Sequence, residues 1–180
     1  NPDLTQEILS LLEVSKIKKE PIIEEKSIEA ELDIINLQIK LGELLHRASL
    51  KEVQTFVEQH KDSLDLNKPN FLGNPPIVVA TKKISAILPT VQFLLEQGAN
   101  PNGIDKKGNT FLHHLLKNKH AVSKITPSFL ELAIKKGFNL YLENKEGETA
   151  FDVAKNPDLT QEILSLLEVS KIKKEPIIEE

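Results

Sequence analysis

Two adjacent histidines, His113 and His114, are the residues best suited to chemistry in this chain. Neighbouring side chains on a helix point about 100° apart, so the pair cannot easily share one metal ion. Cysteine is absent, which excludes disulfides and thiolate chemistry and permits a reducing compartment. Acids are plentiful, but Glu29, Glu31 and Asp33, like Glu162 and Glu168, fall on solvated helix faces. Nothing sets two carboxylates across a cleft, as acid–base catalysis requires. Ser27, Ser49, Ser63 and Ser85 lack the glycines of a nucleophile elbow. Gly103, Gly108 and Gly147 do not form the GxxxxGK phosphate loop. The expectation is a chain that is not an enzyme and holds no metal or cofactor.

The elements that carry these residues are legible from repetition. Residues 1–25 reappear letter for letter as residues 156–180, an offset of 155. Such identity reads as an engineered duplication or a young tandem one. Each copy holds three lysines against six acids, −3 apiece, which leaves +2 on residues 26–155 of the chain's −4. A middle so close to neutral lacks the Arg-rich face of nucleic-acid binders. No apolar run approaches the ~20 residues needed to span a bilayer. No signal peptide and no initiator Met are present, so the expectation is a fragment of a longer protein.

A shorter period runs inside the long one. Four hexads align, starting at Glu43 (ELLHRA), Pro75 (PPIVVA), Thr110 (TFLHHL) and Thr149 (TAFDVA), with Gly73, Gly108 and Gly147 two residues ahead of the last three. Spacing in the low-to-mid thirties signals a solenoid of stacked units. Thr110 and Thr149 suit helix N-caps, and Gly98 and Gly137 suit the left-handed exits of second helices. The stretches from Asp105 to Gly108 and from Asn144 to Gly147 have turn chemistry. Ile28, Leu32, Ile35 and Ile39 form one apolar stripe over residues 27–41, expected to cap the first unit, after a charged linker at 16–26 broken by Pro21. Leu4, Ile8, Leu11 and Leu12 form a similar stripe in the first duplicate copy, repeated at Leu159, Ile163, Leu166 and Leu167.

These hexads resemble the TPLHxA of ankyrin repeats, and residues 91–102 (VQFLLEQGANPN) are similar to that family's second helix and its exit. The resemblance covers about 42–168 and departs from the pattern at Pro75-Pro76 and in an insertion at 118–127. It implies an all-α solenoid of about four helix-turn-helix repeats joined by hairpins. The expected boundaries are 1–25 duplicate segment, 26–41 capping helix, 42–168 repeats and 169–180 charged tail. In the family, His46 and His113 would sit at the structural histidine position, and His60 and His120 are expected at the surface.

The resemblance also implies protein–protein recognition through a concave groove. Carried over by position, that groove would present Phe71, Leu72, Asn74, Ile104, Lys106, Lys107, Asn109, Glu143, Lys145, Glu146 and Glu148 from the hairpins. Lys82, Lys83, Lys117 and Asn118 would join them from the ends of the first helices. Five lysines on repeats two and three would favour a partner with an acidic segment, and Phe71 and Leu72 would supply an apolar anchor. The alternative is self-assembly, in which the N-terminal copy (Leu4, Ile8, Leu11, Leu12) docks on another molecule as a swapped or head-to-tail oligomer. No nucleic acid or membrane partner is expected. The setting implied is the cytoplasm, or the host cytosol if the parent protein is a bacterial effector.

Overall fold

The computed structural model describes residues 21–83, 85–153 and 165. The assembly residues Leu4, Ile8, Leu11 and Leu12, the second helix of repeat four and the tail 169–180 lie outside the described residues. The chain divides into two compact units, Asn1–Leu37 and Gln38–Glu180.

In the first unit the described residues are helical, as part of helix α1 (Pro21–Arg47). Residues 21–26 therefore belong to a helix where a linker was expected; proline is tolerated in a helix's first turn because its missing N–H is not needed there. Ile28, Leu32 and Ile35, expected to be covered, are 61%, 54% and 46% exposed, as is Ile39 at 53% in the second unit. The reason lies in helical phase. Leu41 and Leu45 enter the core, and at 100° per residue they sit roughly 130° around the helix from that stripe.

The second unit is built from pairs of helices. Ser49 caps α2 (Leu50–Gln59) reciprocally with Glu52. Repeat two holds α3 (Pro76–Ala80) and α4 (Ile87–Glu96). All five residues of α3 are buried, so its apolar run needs cover on every side. Repeat three holds α5 (Phe111–Lys117), a short α6 (Lys119–Val122) and α7 (Pro127–Lys135), and repeat four opens with α8 (Ala150–Val153). First helices stack as α3–α5–α8, and second helices as α2–α4–α7.

One hydrophobic core runs between the two layers. Val53 and Val57 fill it in repeat one, Ile77 and Leu94 in repeat two, and Leu112, Leu115 and Leu130 in repeat three. Phe111 packs edge-on against Phe129 and Phe138, at centroid distances of 6.3 and 5.1 Å. The insertion is part of this core, since Ala121, Val122 and Ile125 are buried. Gly98 and Gly137 take φ of +94° and +91°, the left-handed exits that the sequence required of them.

Candidate interaction surface

Each hairpin is closed by one short polar side chain. Asn70 Oδ1 accepts from the N–H groups of Leu72 and Asn74, at 3.0 Å each. Asp105 repeats this with Lys107 and Asn109 at 2.8 and 2.9 Å, and Asn144 with Glu146 and Glu148 at 2.9 and 3.0 Å. Glycine follows three residues later each time. At Gly108, φ is +79° and a Cβ would stand 3.1 Å from the backbone of Asn144 and Lys145. That close approach lets Lys145 N–H donate to Lys107 C=O at 2.9 Å, joining one hairpin to the next.

A second set of asparagines ties the helix exits together. Asn67 Oδ1 accepts from Asn100 N–H at 2.6 Å, and Asn102 Oδ1 from Asn139 N–H at 2.7 Å. Asn102 also donates through Nδ2 to Gly137 C=O at 2.9 Å. These bonds hold successive repeats in register, which apolar stacking by itself does not do.

The histidines serve the same end. His113 is fully buried. Its Nδ1 accepts from Thr110 N–H at 3.2 Å, so Nε2 carries the hydrogen that is donated to Glu148 C=O of the next repeat at 3.0 Å. Burial holds the imidazole below its ordinary pKa, against the bond to Glu148 that favours the charged form. Burial likewise lowers His114, opposed by Asp105, so at neutral pH its Nε2–H donates as a neutral group to Asp105 Oδ2 at 2.8 Å. The Asp105 carboxyl lies below its usual range: burial works to raise it, and the bonds from Asn109, His114 and Lys107 outweigh that. In repeat four Asp152 takes the place of His113, accepting from Thr149 N–H at 3.0 Å.

Those stitched units match known proteins. No family model matches the chain. It is 33% identical over 87 residues to the ankyrin repeat protein L92 of Acanthamoeba polyphaga mimivirus, covering 48% of this chain and 19% of the relative. It is 30% identical over 106 residues to the mouse (Mus musculus) B-cell lymphoma 3 protein homolog, covering 59% of this chain and 23% of that protein. Among solved structures, the ankyrin repeat domain of Bcl-3 matches with a TM-score of 0.50 at 26% identity, over 69% of this chain and 50% of that one. The chain has repeats similar to those of ankyrin-repeat proteins, and its fold is the ankyrin-repeat solenoid. It spans less than a quarter of the length of these curated relatives.

Within the ankyrin frame, the expected groove residues separate into two groups. Phe71 is 87% exposed, and Leu72 and Ile104 are 52% and 51% exposed. Lys82, Lys106, Lys107, Glu143, Lys145 and Glu146 are exposed as well. Lys106 folds across the neighbouring hairpin, where a Cβ on Gly73 would come within 3.0 Å of its stem.

The others are withdrawn from solvent or already engaged. Lys83 is buried instead of reaching the rim. Its ammonium donates to Ala48 C=O, and burial lowers its pKa, with Glu52 opposing. Asn74 and Asn109 are buried rather than displayed, Asn109 because its Oδ1 accepts from Asn144 Nδ2 at 3.0 Å. Asn118 is half-buried and caps α6 through a 3.0 Å bond from His120 N–H. Lys117 pairs with Glu148 at 3.2 Å, so both sit in the stitching between repeats.

Two histidines also differ from expectation. His46 is exposed, because α1 runs unbroken through Glu43 and leaves no helix start there for it to cap. His60 is half-buried, its Nδ1 2.8 Å from Phe56 C=O and its ring 4.5 Å from that of Phe56. His120 is exposed as expected.

Among the described residues no helix is long and apolar enough to cross a membrane. The Asn67 and Asn102 ladder escaped the sequence reading. Its signal was the recurrence of asparagine two residues past each exit turn, at Asn67 and Asn102 after Asp65 and Asn100.

Proposed function

We propose that this ankyrin module recognises a partner protein through its hairpin tips, and that the partner offers an acidic segment with an apolar anchor. The observation carrying this reading is Phe71 at 87% exposure, with Leu72 and Ile104 exposed as well. Large apolar side chains held in solvent by well-bonded hairpins are the kind of patch that gains most from being covered. Lys82, Lys106 and Lys107 supply the charge. They would steer an acidic chain to the apolar tips more than they would add affinity. Corresponding tip positions run Phe71-Leu72, Lys106-Lys107 and Lys145-Glu146, so the surface grades from apolar through basic to mixed.

The test begins with peptides selected from a random library on the wild-type chain. Their affinities are then measured for Lys106→Glu/Lys107→Glu and for Phe71→Ser. Weakening of about tenfold is expected for the charge reversal, from roughly 0.3–0.5 kcal/mol per rim charge removed and about twice that on reversal, at two sites. About tenfold is expected for Phe71→Ser from loss of the apolar anchor. Equal affinity for wild type and both variants would discard the tip surface.

A second reading rests on the letter-for-letter duplication of residues 1–25 at 156–180. Two identical amphipathic segments would compete for one position after α8, and the copy that loses would dock on another molecule. Light scattering over a concentration series would show mass growth for the full chain and its loss in Ile8→Asp/Leu11→Asp. A monomer at every concentration removes this reading.

A further inference from the structure

We infer that the cleft between α4 and the α6–α7 turn binds a small amphipathic carboxylate, an apolar body with one anionic head. The cleft has a volume of about 450 Å³, within the ~300–1,000 Å³ typical of small-ligand sites. Its floor is apolar, from Ile87, Ala121 and Phe129, with Leu88 along one wall. His120 and Lys124 stand on the opposite rim, and among the described residues no carboxylate lines the cleft. Both rim side chains are exposed. An apolar floor with a cationic rim and no competing acid calls for a ligand of the complementary pattern.

The walls are preformed. Repeat two joins α3 to α4 with residues 81–86, whereas repeat three spends residues 118–126 between α5 and α7 and folds α6 from them. The inner side of that insertion is locked by buried Ala121, Val122 and Ile125, so a ligand need not order the site. Helical walls offer no strand edge along which an extended peptide could pair, which favours a compact ligand. The cleft uses no hairpin residue, so its failure would leave the hairpin-tip reading untouched.

Decanoate, kept below its micelle concentration, is the probe. Titration of the full chain, followed through backbone amide NMR shifts, is expected to saturate at one site with the largest changes around Leu88, Ala121 and Lys124. Decanol, the same chain without the charge, is expected to bind at least fivefold more weakly. Lys124→Glu should weaken decanoate at least fivefold and leave decanol unchanged. Gln92→Trp should block both, because Gln92 lies at the cleft on an exposed position of α4 and its side chain bonds Glu96 on the same helix. Both variants alter exposed side chains, and unchanged thermal melting verifies their folds. Shifts that do not saturate, shifts centred elsewhere, or equal decanoate binding by wild type and Lys124→Glu would overturn the assignment.

Discussion

Replacing His113 by alanine removes the one side chain that both caps α5 and reaches into the next repeat. The magnitude follows from what is left behind. Thr110 N–H loses its acceptor at a fully buried position, worth about 1–3 kcal/mol. Glu148 C=O loses one donor but keeps Asn144 N–H at 2.9 Å, so that share is smaller, about 0.5–1.5 kcal/mol. The vacated ring adds roughly 1 kcal/mol of lost packing, for a sum of about 3–5 kcal/mol. His113→Asn separates the parts. Its shorter side chain can accept from Thr110 N–H as Asp152 does from Thr149, but it cannot reach Glu148, so about half of the loss is expected.

Urea unfolding at pH 7.5, followed by far-UV circular dichroism, measures both variants against wild type. Acidification supplies an internal check. Burial holds His113 and His114 below the ordinary value of 6.5. The unfolded chain therefore takes up protons that the native state refuses as pH falls through about 6.5, and stability present above that pH is lost below it. The slope reaches at most ~1.4 kcal/mol per pH unit per histidine and should be shallower in His113→Asn. A loss under about 0.5 kcal/mol for His113→Ala, or wild-type stability that rises on acidification, would refute the reasoning.

Further outcomes follow from the same bonds. Asn102→Ala, which breaks the exit ladder at Asn139 and Gly137, is expected to cost about 1–3 kcal/mol in urea unfolding. Gly108→Ala should cost about 2 kcal/mol or more, since it adds a close backbone approach of 3.1 Å to a positive φ. Gly98→Ala, with open space around it, should cost only about 1–2 kcal/mol from the strained conformation, and thermal melts will rank the two. Lys117→Ala should change stability by under about 1 kcal/mol, because its ion pair with Glu148 is exposed on both sides; that small effect should shrink further in high salt.

The repeat itself was written in local chemistry. Hexads 32 to 39 residues apart, the glycines before them and the Asn and Asp turn residues each answer to a single backbone requirement, so they survive reading one at a time. What escaped depends on direction. Lys82 and Lys83 are neighbours of one residue type, yet one is exposed and the other buried against Ala48, because adjacent side chains leave the backbone in different directions. Asn109 looked like a displayed hairpin polar group and is instead paired to Asn144 of the next hairpin, a contact visible only when two repeats are stacked. The Ile28–Ile39 stripe marked an apolar face of α1, yet its four residues are exposed while Leu41 and Leu45, further along the helix, are buried.

The central claim, recognition through the hairpin tips, is tested most directly by mapping a bound peptide on the folded chain. A library-selected peptide is added to isotopically labelled protein and the amide shifts are followed residue by residue. The account expects the largest changes at 71–73, 104–107 and 82, with little at α2, α4 and α7. Changes concentrated on those second helices, with the hairpin tips unmoved, would contradict it.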